Sequence, residues 1–595
     1  MKRKIYGTLF LAIVGIGIVG CKKGAFKPKH SSSIAKVEDE KQTKIGKKLR
    51  NPFTIENMRN AYAILSKQKS SSTLESNKLY VRFLPLNSNE LNELYSDSLI
   101  LSDIPLDVEV NQYGTFYNDP ATLSNGTTWL YTTVDLGYDF GNLQHEVIDS
   151  LFLPNEGGDG QKSMNLFADF SKDDLEIKAL ELAGYKDEIS SSLEKATQYR
   201  PKGYIRVQQS INGINTLVPV KQLKIRTRWW FDYGTGFTND NGYFECNETY
   251  RRNRNVDIVC IFENSSVDIR AIKGTQFWDM FFTERKNIGE YENSALESLN
   301  YTFANSSDVN SDTKRKWMCC HAINSVREQQ IFCLQNGITP PPSNLNLWLT
   351  NANTNGNSLS SSAAAPMLKQ MSNSSFLVNG AQLWLIGSGN LLFSIAIQVL
   401  EQFPPDITYN YSQSPSFYTN SDYISNIFYH ELAHASHYRK VGNTYWTSYI
   451  AYIVQHGGYG ESTTSGSGRI AISEAWAEFC GARFAHLRYG NVINSAPNSS
   501  SWLEYIERFR PYPNPSNPSY WKWIPDGIMH DLTDVGEPNW FTYVKDNVSG
   551  FSISQCFGAM DSDITTVAGY KTRFINENGT SQQATIDDLF ISYGY

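Results

Sequence analysis

The sequence predicts a multidomain protein with a β-rich N-terminal half and an α+β C-terminal half that is mainly helical around its candidate site. Its 595 residues exceed what one hydrophobic core normally organises. Apolar and polar residues alternate in strand fashion through residues 78–154 and again through 204–274. After Gln276 the composition changes to helix-like runs separated by Asn- and Ser-rich loops.

The N-terminus has the features of a signal peptide. A positive segment, Met1–Lys4, precedes a mostly apolar run that ends at Gly20 and is shorter than the about 20 residues of a membrane-spanning helix. The sequence Ile18-Val19-Gly20-Cys21 resembles the lipobox of bacterial lipoproteins, which implies removal of residues 1–20 and a lipid on Cys21. The alternative is a short membrane anchor with an incidental cysteine. We therefore expect an extracytoplasmic protein anchored to a bacterial membrane, the outer membrane by preference, on its periplasmic or its surface face.

Two regions follow the signal peptide before any motif is found. Residues 21–77 are rich in Ser and Lys and predict a flexible tether. Residues 78–200 predict a β-rich N-terminal domain of unknown role. Seven cysteines remain after Cys21, and for Cys246 and Cys260 a cross-strand disulfide and two buried thiols are both compatible with the pattern.

Residues 201–275 predict a small β-sandwich. Strand patterns at Tyr204–Val207 and Leu223–Thr227 precede a turn signal, Thr238-Asn239-Asp240-Asn241-Gly242-Tyr243-Phe244. This T-x-x-x-G-x-F turn and the order of strands resemble the carboxypeptidase regulatory-like, or transthyretin-like, domain. The resemblance implies a structural or binding accessory and not a catalyst.

The strongest chemical signal is the segment His430-Glu431-Leu432-Ala433-His434, which contains H-E-x-x-H. On a helix, His430 and His434 lie about 40° apart and one turn displaced, so both imidazoles reach one metal ion. Glu431 lies beside that face, where it reaches a metal-bound water. Apolar residues on the opposite side predict that the helix packs against a core while it presents this face.

A catalytic zinc usually takes a third protein ligand, and the sequence offers two candidates. Glu474 lies forty residues after His434 on a second predicted helix, and Glu478, one turn later, is placed to orient a ligating imidazole. His437 shares the face of His430, but a straight helix separates the outer two of three such residues by about 10 Å. We therefore expect Glu474 to be the ligand and His437 to be a residue of the pocket.

The H-E-x-x-H helix, followed by a helix with Glu474 and Glu478, resembles the gluzincin clan of zinc metallopeptidases, whose site is thermolysin-like. The resemblance implies one catalytic Zn²⁺ held by His430, His434 and Glu474, with Glu431 as the general base. It also implies that residues 276–595 form a zincin-type metallopeptidase domain that hydrolyses peptides or proteins. The clan often has Asp where this chain has Glu478, which weakens the orienting role assigned to that residue.

Further residues are candidates for stabilising the transition state or for binding substrate. The loop after the first helix offers His456 and Tyr459, and His530 beside Asp531 offers a third donor. Each of the three is also compatible with a purely structural role. Residues 407–411 are our candidate for an edge strand that binds an extended substrate.

The alternative function is that of a non-catalytic adhesin or glycan-binding lipoprotein, which suits the β-rich first half and the 13% aromatic content. It gives no reason for three glutamates to stand in register with two histidines. A structural zinc and a hydrolase of non-peptide substrates are the remaining alternatives. The net charge of −7 and the absence of a basic stripe argue against a nucleic-acid partner.

Overall fold

In the computed structural model, strand Lys44–Lys48 is the first element among the described residues. The structure describes residues 42–67, 74–154, 170–273, 282–351, 362–371, 404–411, 420–490, 503–508, 522–535 and 543–595, with short gaps at 87, 97–98, 115, 118, 126–127, 190–196, 212 and 504–505. The predicted signal peptide, Cys21 and the first part of the predicted tether lie outside these residues. Within them, no helix has the length and apolar character to cross a membrane.

The described residues form a β-rich N-terminal half with several sheets and a helical C-terminal region. The strands are β1 Lys44–Lys48, β2 Lys78–Phe83, β3 Val108–Gln112, β4 Leu130–Asp135, β5 His145–Leu151, β6 Gln198–Tyr199, β7 Lys202–Ile211, β8 Ile214–Pro219, β9 Lys224–Trp229, β10 Asp232–Phe237, β11 Tyr243–Glu245, β12 Tyr250–Arg251, β13 Val256–Ile261, β14 Val267–Lys273, β15 Arg285–Tyr291, β16 Leu299–Phe303, β17 Leu345–Asn351, β18 Ser362–Ala364 and β19 Ile407–Asn410. The α-helices are α1 Ile55–Leu65, α2 Ser88–Ser96, α3 Lys172–Ala183, α4 Asp312–Gln335, α5 Ser421–His456, α6 Ser467–Tyr489, α7 Ile528–Thr533, α8 Ile553–Gly558, α9 Val567–Phe574 and α10 Gln583–Ser592.

The predicted tether is wrong over residues 42–67, because this segment is folded. Strand β1 pairs with β3, and helix α1 follows it. The side chain of Thr54 caps α1, whose residues Met58, Ala61 and Tyr62 are buried at helical spacing. The side chain of Asn57 also donates to the Ala179 carbonyl of α3 at 2.9 Å. The segment therefore contributes apolar surface to the core, although its composition is that of a linker.

Most strands in the region of the predicted sandwich belong to two sheets, which extend beyond the predicted limit at residue 275. One sheet has the order β10-β9-β13-β15, and the other has the order β11-β7-β16 with β8 also paired to β7. Strands β15 and β16 follow residue 275, whereas β14 precedes it and belongs to another sheet. Cys246 and Cys260 are free and buried, which decides between the two alternatives in favour of thiols.

Another sheet has the order β14-β17-β19-β18, and its strands precede helix α5 in the sequence. Strands β14, β17 and β19 are parallel, and β18 is antiparallel to β19. Residues 407–410 therefore pair on both sides, and the edge strand that we expected at 407–411 is wrong. Among the described residues, the edge on that side of the sheet is β18.

Three long helices form the centre of the C-terminal region. Tyr429 of α5 donates to Glu328 of α4 at 2.5 Å, and Arg488 of α6 pairs with the same carboxylate at 3.0 Å. Glu328 and Tyr429 are buried, so this network supplies the buried carboxylate and the buried hydroxyl with the partners that water would otherwise provide. It fixes α5 and α6 against α4, which positions the two helices predicted to carry the site.

Asp422, in the first turn of α5, makes stability depend on pH. The side chain is fully buried, and burial raises its pKa to about 6, although nearby backbone amides partly offset this. Because the unfolded pKa is about 3.9, its contribution is fully present below about pH 4 and is lost as the pH rises through 6. We expect Asp422→Asn to stabilise the protein by about 3 kcal/mol at pH 8 and by little at pH 4.

Denaturant unfolding of Asp422→Asn at several pH values between 4 and 8 measures this difference. Asp588→Asn, on an exposed side chain of α10, is the matched control and should change stability little at any pH. A stabilisation of Asp422→Asn that does not grow with pH would contradict the assignment.

Candidate metal centre

The H-E-x-x-H segment lies in the first part of α5, before a kink at Gly442, where φ is 78°. Helix α6 packs directly against this part of α5. A Cβ atom placed on Gly481 would lie 3.1 Å from the Asn426 carbonyl oxygen and 3.2 Å from the His430 Cβ. Only glycine gives this approach without displacing a neighbour. The approach brings Glu474 and Glu478 towards the two histidines.

His430, His434 and Glu474 converge, with their ligand atoms all within 4.8 Å of one another. The Nε2 atom of His430 lies 3.5 Å from Glu474 Oε2, and the Nε2 atom of His434 lies 3.5 Å from Glu474 Oε1. Two metal bonds of about 2.0–2.1 Å at a tetrahedral angle separate their ligand atoms by about 3.3–3.4 Å. The spacing therefore fits the edges of a zinc coordination polyhedron, and it is longer than a good hydrogen bond.

The residues around this triad also fit a catalytic zinc. Two imidazoles and one carboxylate form the donor set that leaves a fourth position for water. Glu431 is buried, and its Oε2 atom has no hydrogen-bond partner in the described part of the chain. A carboxylate oxygen in that condition needs a ligand beside it, and a metal-bound water is one.

Glu478 lies on the other side of the His430 ring. Its Oε2 atom is 3.4 Å from His430 Nδ1, so the ring faces Glu474 with one nitrogen and Glu478 with the other. A carboxylate in this place fixes the tautomer and orientation of a ligating histidine. Burial raises the pKa of Glu478, but His430 and Lys522 lower it by more. The net pKa is below the ordinary value, so the carboxylate is held ionised.

Three groups at the centre have shifted pKa values. Burial opposes protonation of His430, yet Glu474 and Glu478 raise its pKa well above the ordinary value. Burial likewise opposes ionisation of Glu474, yet the two histidines lower its pKa well below the ordinary value. Burial raises the pKa of Glu431, against the pull of both histidines. Excess negative charge thus collects around the histidines, which is the environment that a divalent cation favours.

Two tyrosines hold Glu474 by its two oxygens. The Tyr449 hydroxyl donates to Oε1, and the Tyr459 hydroxyl donates to Oε2 at 2.9 Å. Burial and the adjacent carboxylate raise the pKa of both hydroxyls well above 10, so they remain donors. The sequence singled out Tyr459 but missed Tyr449. Tyr449 belongs to no motif, and its position follows from the kink at Gly442.

The remaining predicted residues lie elsewhere. His437 is buried, its Nδ1 atom lies 3.2 Å from the Ser473 hydroxyl, and burial lowers its pKa to about 3. His456 is exposed at the end of α5 and packs on the ring of Tyr452. His530 is buried 3.4 Å from Glu507, in a separate group with Asp534. Neither His456 nor His530 lines the cavity at the triad.

A cavity of about 210 Å³ opens onto Glu431, His434 and Glu474. Its walls include Tyr459 and the segment 363–366, which contains most of strand β18. The centre is thus reached from a space bounded on one side by a sheet edge.

The chain matches no protein-family model, and no curated protein matches it. What the site does is therefore argued from its residues and their geometry.

Proposed function

We propose that the chain is a zinc-dependent peptidase whose metal is held by His430, His434 and Glu474. The observation that carries the proposal is the 3.5 Å spacing of both histidine Nε2 atoms from the two oxygens of Glu474. This spacing, together with the H-E-x-x-H motif on helix α5, supports a gluzincin-like zincin domain in the C-terminal region. The two sheets of the preceding region support a carboxypeptidase regulatory-like accessory module.

Zinc at this centre would lower the pKa of a bound water and polarise the carbonyl of the substrate. Glu431 would accept the proton of the attacking water, and burial, which raises its pKa, makes it a stronger base than an exposed carboxylate. Glu431 then delivers this proton to the leaving amine. Tyr459, which is 42% exposed and lines the cavity, would donate a hydrogen bond to the developing oxyanion if its single O–H turned away from Glu474 Oε2. Tyr449 is buried and keeps Glu474 in place.

The edge strand supports a peptide as the substrate. Strand β18 pairs with β19 on one side, and its residues Ala363 and Ala364 line the cavity together with Glu431. An extended peptide pairs with such an edge through main-chain hydrogen bonds, and small side chains leave room for those of the peptide. The substrate class that we propose is peptides or proteins outside the cytoplasm, since the lipobox-like segment ending at Cys21 favours attachment to a bacterial membrane.

Removal of the metal tests the proposed function. We expect the purified protein to hydrolyse casein, to lose this activity on dialysis against a zinc chelator, and to regain it when one equivalent of Zn²⁺ is restored. Peptide products are measured by mass spectrometry. Hydrolysis that survives complete loss of zinc would contradict the proposal. A protein that binds no zinc and hydrolyses nothing would favour the adhesin alternative.

A further inference from the structure

A second cavity, of about 360 Å³, lies in the β-rich half. The segment 99–101 and strand β4 form one wall, and strands β9, β10 and β13 form another. It shares no lining residue with the cavity at the metal centre. Its volume falls in the range of about 300–1,000 Å³ that is usual for small-molecule sites. What it accepts is determined by the charges on β9.

Strand β9 carries three basic residues at alternate positions, Lys224, Arg226 and Arg228, so all three project from one face. The outer two are neutralised. Lys224 pairs with Glu263 at 2.6 Å, and Arg228 pairs with Asp257 at 2.9 Å.

Arg226, the middle residue, has no carboxylate opposite it. Its partners in register are Thr235 on β10 and Val259 on β13. No ion pair or hydrogen bond joins its guanidinium to another residue in the described ranges. The side chain lines the cavity, so its charge faces the cavity without an ion-pair partner.

The other charges in the cavity wall compensate Arg226 only in part. Asp103 is buried. Its carboxylate already pairs with Arg285 and accepts a hydrogen bond from the backbone N–H of Tyr117. Burial lowers the pKa of Arg226, the positive charge of Arg285 lowers it further, and the negative charge of Asp103 offsets these effects only in part. An anion beside Arg226 would relieve both effects, because it would solvate the charge and offset the repulsion.

The lining is divided between charged or polar side chains and apolar ones. Tyr95 and Ile100 are 49% and 37% exposed, and Leu130 and Ile261 are buried behind them. Phe282 adds an aromatic ring on the side of Arg285. The cavity thus has an apolar part and a charged part, in which Arg226 is the cation without an ion-pair partner, and this suits a ligand that is apolar at one end and anionic at the other.

We propose that this cavity binds a small organic carboxylate, with the acid group on Arg226 and an apolar body against Tyr95 and Leu130. A guanidinium accepts a carboxylate through two parallel hydrogen bonds, which a primary amide cannot reproduce. The site is independent of the proposed peptidase function, since none of its residues belongs to the metal centre. It gives the β-rich half a ligand-binding role.

Isothermal titration of the purified protein with acetate, benzoate and phenylacetate, each beside its neutral amide, tests the proposal. We expect saturable binding of the aromatic acids, none of the amides, and a loss of about tenfold or more in Arg226→Gln. Arg206→Gln, on the neighbouring sheet, is the matched control and should bind as the wild type does. The wild-type comparison of acids with amides stands even where Arg226→Gln fails to fold.

Three results would overturn this assignment. They are the absence of binding for every acid at millimolar concentration, equal binding by a folded Arg226→Gln variant, and equal affinity for inorganic phosphate. Loss of zinc or of hydrolysis in the metal-centre variants does not bear on it, so the two proposals fail separately.

Discussion

Replacing Glu431 by Gln is expected to reduce peptide hydrolysis by about 10³-fold or more while zinc stays bound. The substitution preserves the shape of the side chain but removes the group that accepts the proton of the attacking water. Glu431 is not among the three converging ligands, so the metal centre should persist. The rate is measured on a fluorogenic peptide derived from a casein cleavage site, and the metal by mass spectrometry of the same sample.

Glu461→Gln is the matched control for this variant, because Glu461 is exposed in the loop between the two helices. It should keep full activity. Activity within a few-fold of wild type in Glu431→Gln, with zinc at full occupancy, would show that another residue carries the proton.

Replacing Glu474 by Ala is expected to abolish both zinc binding and hydrolysis. The variant removes the carboxylate that faces both histidines, and it leaves the hydroxyls of Tyr449 and Tyr459 without their acceptor.

Glu478→Ala removes only the partner of His430 Nδ1, so zinc affinity should fall by about 10- to 100-fold. Competition with a fluorescent zinc chelator measures both affinities.

His437→Ala separates the two candidates for the third ligand. The His437 ring lies against Ser473 and Tyr445, outside the triad, so the variant should keep its zinc even where it loses stability. A variant of Glu474 that binds zinc as tightly as wild type, beside a His437 variant that does not, would reverse the assignment.

Local periodicity predicted the parts of the site that lie on regular helices. The 40° offset of His430 and His434 follows from helical geometry alone, and in the structure both residues lie on α5 with their ligand atoms close to that of Glu474. Tyr449 was beyond this reasoning, because it reaches Glu474 only after the left-handed break at Gly442. The rotation of about 100° per residue that relates side chains along one helix does not hold across such a break.

The errors in the fold came from contacts between segments that are distant in the chain. Strand β1 looks like part of a linker because its residues are charged, yet it is paired with β3. Residues 407–410 have the alternation of an edge strand, but their second neighbour, β18, comes from more than forty residues earlier. Strand order depends on such pairings, which hydrophobic patterns do not encode.

Zinc K-edge X-ray absorption of the purified protein is the most direct test of the metal centre. We predict about one zinc per chain, bound by two imidazole nitrogens and by carboxylate and water oxygens at about 2.0–2.2 Å. The same spectrum from Glu474→Ala should show no specifically bound zinc. A wild-type spectrum with sulfur ligands, or a protein without zinc after supplementation, would contradict the assignment of His430, His434 and Glu474.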